Sequence, residues 1–139
     1  VQLIGKWNDN HFVFGKVNFG IYWDVELWQG DTGSVAAVRF HRKASNIGKG
    51  VHGGAIAAVV DALEGVTTLL AAQQNSVTGE RKIRYLRPCQ IGVPYLARTT
   101  VKMPTGGSKS RKVFVDVSLE TFDGIAHVTA STIMVLVKA

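Results

Sequence analysis

The stretch from 48 to 74, "GKGVHGGAIAAVVDALEGVTTLLAAQQ", constrains the chain more than any other. Its spacing predicts one helix over roughly 55–73, apolar on nearly every side: Ile56, Val59, Val60, Leu63, Val66, Leu69 and Leu70, with alanines between. A helix without a wide polar face should be buried on most sides. Asp61 and Glu64 interrupt the apolar run, which therefore falls short of the roughly 18 residues a membrane span requires. The expectation is a core helix with no membrane span, and the two carboxylates within it need a reason.

The sequence around the helix alternates with period two, as half-buried strands do. In 112–121, Val113, Val115, Val117 and Leu119 oppose Asp116, Ser118 and Glu120. In 35–43, Ala36, Val38 and Phe40 oppose Arg39, His41 and Lys43, and in 81–88, Ile83 and Tyr85 oppose Lys82 and Arg84. Segments 95–104, 126–137 and 21–30 complete the set, with turn signals "IGVP", "PTGGS" and "FDG" between them. These elements imply an α+β architecture: an antiparallel sheet of five to six strands wrapped around one long central helix. A chain of 139 residues suits a single domain spanning 1–139, with 1–20 open to being an N-terminal extension.

With 46% hydrophobic and 19% charged residues, the composition excludes a disordered chain. The single cysteine, Cys89, excludes an internal disulfide and a multi-cysteine metal site. It reads as a structural thiol beside a turn and fits an intracellular, cytoplasmic setting. No metal or separate cofactor is expected, and "VQLIGKWNDNHF" lacks the pattern of a signal peptide. A net charge of +6 suits an anionic partner: nucleic acid, a membrane surface or a phosphate-bearing small molecule. The basic residues are dispersed over Lys49 and the groups 39–43, 80–87 and 108–112, and they match no nucleic-acid-binding motif.

An uncompensated carboxylate in apolar surroundings is costly. Asp61 is therefore either a solvated or backbone-tied acid or part of a reactive site. Glu64, three residues on, reads alone as an exposed acid near the helix end; if both are partly buried, their repulsion raises one proton affinity. His52-Gly53-Gly54 stands before the helix, where the first N–H groups lack internal partners and favour an anion or developing oxyanion. Nine residues separate His52 from Asp61, about 900° of helical rotation and about 13 Å of rise. The two therefore lie on opposite sides of the helix. They reach one substrate atom only if two chains pack helix to helix, as a two-fold dimer allows.

Asn46-Ile47-Gly48-Lys49-Gly50-Val51-His52-Gly53-Gly54 with Asp61 beyond it resembles the hotdog-fold acyl-CoA thioesterases of the phenylacetate-pathway and mammalian thioesterase-superfamily type. Thr78 in "TGERKIRYLRP" and the closing "SRKVFVDVSLETFDGIAHVTAS" extend the resemblance over about residues 35 to 137. It implies a hotdog fold and a homodimer, or a dimer of dimers, that hydrolyses acyl-CoA to a carboxylic acid and CoA. Coenzyme A enters as part of the substrate. Asp61 would activate water or attack the thioester, and the Gly53 N–H would hold the oxyanion. His52 and Asn46 would position thioester or water from the other subunit, and Thr78 would hold the water or Asp61.

The same resemblance assigns Lys109, Ser110, Arg111 and Lys112 to the nucleotide end of CoA, with Arg87 and Gln90 nearby. Ser110-Arg111 stands where the family usually has Gly-Arg. Glu64 would support Asp61 from behind or line a tunnel. Ala57, Ala58 and Ala62 would leave room along the helix for an acyl chain, with Trp7, Phe12, Trp23 or Trp28 able to close it. The alternative is a non-catalytic acyl-CoA binding or sensing module on the same fold, which has no need of Asp61 and Thr78 together. A hotdog hydratase or dehydratase is disfavoured by Gly53 and Gly54.

Overall fold

The period-two segments pair into one antiparallel sheet. The computed structural model describes residues 2–3, 22–30, 32–105 and 109–138. Its elements are β1 (Gln2–Leu3), β2 (Trp23–Gln29), β3 (Gly33–Phe40), α1 (Gly53–Ala72), β4 (Ser76–Tyr85), β5 (Pro94–Lys102), β6 (Lys112–Glu120) and β7 (Ala126–Leu136). The sheet order is β1-β2-β3-β5-β6-β7-β4. Six strands of useful length and one two-residue strand meet the expected architecture.

One face of the sheet is lined by the apolar positions of the alternation. Ala36, Val38, Phe40, Tyr95, Ala97, Val113, Val115, Val117, Leu119, Val128, Ala130 and Met134 are all buried there. Each fully buried Val, Leu or Phe contributes about 1.5–3 kcal/mol relative to exposure. α1 lies across this face and touches β3 through β7. By length and composition α1 would suffice to cross a membrane, but here it is the core helix, with Ile56, Val59, Val60, Leu63 and Val66 buried against the sheet.

α1 is covered on most sides, as expected, and one side lies open within the single chain: Gly54, Asp61 and Leu69 are exposed there, and Ala58, Ala62 and Gly65 only half-buried. A Cβ added at Gly65 would meet nothing within 4 Å. One sequence expectation needs correcting: the strand predicted to begin at 81 begins at Ser76. Its first half escapes the period-two pattern because the register shifts between Thr78 and Glu80, a β-bulge at Gly79. β4 is also the sheet edge, with β7 its only neighbour among the described residues and Val77 and Tyr85 exposed. Trp7 and Phe12 lie outside the described residues.

Candidate active site

Two groups of the sequence-predicted residues assemble separately, at either end of the first half of α1. The first surrounds the helix N-terminus. The His52 backbone N–H is fixed by the Ala44 carbonyl at 2.8 Å, and its Nδ1 accepts from Gly54 N at 2.9 Å as the helix N-cap. Nδ1 is thereby the unprotonated ring nitrogen, and Nε2 carries the proton. A Cβ at Gly54 would stand 3.1 Å from His52 Nδ1, so the glycine is what lets the ring fold back over the cap. The N–H of Gly53 finds no acceptor among the described residues, as expected at a first helical position. Tyr85 fixes this residue from below by donating its hydroxyl to the Gly53 carbonyl at 3.1 Å.

Asn46 closes the loop that leads into the helix. Its N–H donates to the Gly50 carbonyl at 2.8 Å, and its Oδ1 accepts from Gly50 N at 3.0 Å. Lys49, at φ 69, makes the tight return. The Asn46 oxygen is thus engaged in the loop, and the amide nitrogen is what Asn46 can offer a ligand. A cavity of about 320 Å³ opens beside His52 and Gly54, lined by Tyr22, Trp23, Ala55 and Ala58 among others.

The second group gathers on the open side of α1, against β4. Asp61 keeps about half of its side chain exposed (55%). Its Oδ1 accepts from Arg81 Nη2 at 2.6 Å and from the Thr78 hydroxyl at 3.4 Å. Oδ2 has no partner among the described residues. The structure thus brings Thr78 beside Asp61. No hydrogen bond joins Asp61 to His52 or Gly53, which lie about 12–13 Å back along the helix axis.

Beneath Asp61 the structure overturns one expectation and adds two residues. Glu64, read as an exposed acid, is fully buried (0%). Its Oε2 accepts from Arg81 Nε at 3.0 Å and Nη2 at 2.6 Å, and its Oε1 accepts from the Thr132 hydroxyl at 2.7 Å. Burial pushes the Glu64 carboxyl above the usual range, opposed by Arg81 and Thr132 and reinforced by the charge of Asp61. Burial also opposes the charge on Arg81, but its two carboxylate partners hold the guanidinium protonated. The sequence carried a signal for Arg81: it shares the parity of Ile83 and Tyr85 and so lies with them on the side of β4 that meets α1. Thr132 had none beyond its place in β7. The Gly79 bulge completes the arrangement. Thr78 pairs with Met134 and Arg81 with Thr132, both buried positions of β7, so residues three apart face the same way.

The six residues assigned to CoA do not form one site within a chain. The Arg87 guanidinium donates to the Ala126 carbonyl at 2.6 Å, and Gln90 bridges to Gly50 near the helix N-terminus. Lys109, Ser110 and Arg111 before β6 and Lys112 at its start are exposed; Lys112 pairs with Val135 and the Arg111 carbonyl accepts from Leu136 N. Ala126 and Val135 lie nine steps apart on β7, about 30 Å of strand. Arg87 and Gln90 are therefore not near the Lys109–Lys112 segment of the same chain, which corrects the sequence expectation.

Neither a protein-family model nor a curated protein sequence matches the chain. Solved structures match its fold. A Streptococcus mutans protein bound to acetyl-CoA superposes with a TM-score of 0.72 at 18% identity, over 82% of this chain and 89% of that one. Zebrafish thioesterase superfamily member 2 does so at 0.71 and 21% identity, over 81% of each chain. The fold is the hotdog fold. The E. coli PaaI protein of the phenylacetic acid degradation operon shares it at 0.69 and 16% identity, over 80% of this chain and 82% of its own. The resemblance read from the sequence to thioesterase-superfamily proteins thus holds in three dimensions, and identities of 16–21% make it a likeness of hotdog architecture.

Proposed function

We propose that this chain is an acyl-CoA thioester hydrolase that works as a homodimer, or a dimer of dimers. Asp61 carries the reading: it is a half-exposed carboxylate on the open side of an apolar helix, held through one oxygen while the other has no partner among the described residues. Two copies related by a two-fold axis would pack the open sides of α1 together and pair their β4 edges. Each Asp61 would then face the His52-Gly53-Gly54 turn of its partner. The small Ala58, Ala62 and Gly65 permit close helix approach, and an unpaired edge strand is a template for pairing with another chain.

In that dimer the thioester carbonyl lies against the Gly53 N–H at the positive end of α1, where charge developing on oxygen is stabilised. Asp61 Oδ2 either takes a proton from a water that attacks the acyl carbon, or attacks that carbon itself to form an anhydride that water then cleaves. In both routes the carbon–sulfur bond breaks, the CoA thiolate takes up a proton, and the acyl group leaves as a carboxylic acid. His52, through Nε2–H, and the Asn46 amide nitrogen orient the thioester or the water. Lys109, Ser110, Arg111 and Lys112 of one subunit, with Arg87 and Gln90 of the other, would meet the phosphates of CoA. The cavity beside His52, lined by Trp23 and Ala58, is available to the acyl group or the pantetheine arm.

A second reading, a non-catalytic acyl-CoA binding module, draws on the engagement of Asp61 Oδ1 by Arg81, which gives that carboxylate a structural use. Release of free CoA from acetyl- through palmitoyl-CoA and phenylacetyl-CoA distinguishes the two. Turnover of any member supports the hydrolase, whereas binding of the panel without turnover supports the module.

A further inference from the structure

The geometry points to Arg81 as a positioning residue for Asp61: the guanidinium, anchored by buried Glu64, fixes Asp61 Oδ1 so that Oδ2 is the oxygen presented for reaction. This inference rests on the hydrolase reading and adds to it a part of the site that lies below the reacting surface.

The argument starts from torsional freedom. The last torsion of an aspartate side chain is broad and roughly two-fold, so a carboxylate on an open helix face does not by itself hold one oxygen toward a substrate. Arg81 Nη2 removes that freedom at 2.6 Å from Oδ1, and the Thr78 hydroxyl adds a longer contact at 3.4 Å to the same oxygen. Arginine is itself long and flexible, so it can position another group only if it is held in place. Glu64 holds it through two bonds to Oε2, and Thr132 holds Glu64 through Oε1. The chain of contact thus runs from β7 through the helix core to the exposed carboxylate.

Glu64 and Arg81 together are an improbable way merely to fill space. A buried ion pair is often no more stabilising than apolar residues of similar volume, because desolvation offsets the attraction. What apolar residues in their place would lack is a donor aimed at Asp61. The bulge at Gly79 supports the same reading. It brings Thr78 and Arg81 to one side of β4, and a Cβ at that position would press to 3.2 Å on the Ile133 carbonyl and the Val135 side chain. Arg81 keeps only 19% of its side chain exposed and sits under Asp61, so it has little surface to offer CoA itself.

The test uses the full chain and the acyl-CoA it hydrolyses best. Wild type, Asp61→Asn, Arg81→Lys, Arg81→Met and the paired variant Glu64→Met with Arg81→Met are compared by kcat, KM and thermal melting. The paired variant leaves no buried charge without a partner, so it keeps the fold even if Arg81→Met alone does not. Its kcat is expected to fall by about 10- to 100-fold, the range that a displacement of about 1 Å can produce, with KM within about threefold of wild type. Arg81→Lys, which keeps the charge but not the fork that reaches both carboxylates, is expected to fall between it and wild type. A folded paired variant with wild-type kcat overturns the positioning role while leaving the hydrolase reading intact, provided Asp61→Asn is inactive. Absence of turnover in wild type, or full turnover in Asp61→Asn, overturns the hydrolase reading and the positioning role with it.

Discussion

Arg81 and Asp61, 20 residues apart in the chain, meet at 2.6 Å where the sheet edge passes the open side of the central helix. The same guanidinium nitrogen is 2.6 Å from Glu64, which is wholly buried. Removing Arg81 alone therefore strands a carboxylate in the core. Arg81→Met is expected to lower stability by about 3–5 kcal/mol, the usual cost of breaking a buried pair from one side. The paired Glu64→Met, Arg81→Met variant is expected to lie within about 1–2 kcal/mol of wild type. Urea unfolding midpoints at neutral pH measure both, and equal losses in the two variants would contradict the role given to the pair.

The fold was largely legible because its signals are local. Val113, Val115, Val117 and Leu119 alternate in the sequence as they do in β6, and the apolar run begins within two residues of the observed helix start. The spacing that singles out Asp61 and Thr78 picks two residues that the fold brings together. What the sequence concealed depends on contacts across elements. Glu64 looked like an exposed acid because its partners, Arg81 and Thr132, are 17 and 68 residues away. The first half of β4 was hidden by a bulge that breaks the alternation used to find strands.

Gly54 lets the His52 ring lie over the helix start, where an added Cβ would stand 3.1 Å from Nδ1. Gly54→Ala is expected to displace the imidazole and lower kcat about tenfold. The helix preference of alanine, up to about 1 kcal/mol over glycine, offsets much of the lost cap. Melting temperature and kcat, measured on the same preparation, should therefore separate. If they fall together, His52 acts only through the cap.

Gly65 faces the open side of α1, with nothing within 4 Å of a Cβ placed there. In a lone chain Gly65→Arg should be tolerated and even gain helix propensity, on the order of 0.5–1 kcal/mol. At a helix-to-helix dimer interface it should block assembly. Sedimentation is expected to show wild type as a dimer or larger and the variant as a monomer with unchanged far-UV circular dichroism and little hydrolysis. A variant that assembles as wild type does would exclude this face as the interface.

Cys89 is 1% exposed, and burial pushes its thiol up to about 11, with a hydrogen bond to Tyr95 opposing. A raised thiol binds its proton more firmly in the folded chain. Its contribution to stability is therefore complete below the ordinary cysteine range and is lost as pH rises toward about 11. Native protein at pH 8 is expected to give no fast reaction with a thiol dye, and one equivalent after unfolding in guanidinium. Rapid labelling of the native chain would contradict the buried placement. The expected silence also means that thiol-detecting assays of CoA release carry little background from the folded protein.

The most direct measurement is the comparison of wild type with Asp61→Asn, which keeps the size of the side chain and the contact from Arg81 but removes the charge. Isothermal titration with CoA and the rate of acyl-CoA cleavage are read on both proteins. Unchanged CoA affinity within about threefold, with cleavage reduced by at least about 10³-fold, is the expected result. Equal cleavage by the two proteins, or equal binding with no cleavage by either, would contradict the assignment of Asp61 as the reacting carboxylate.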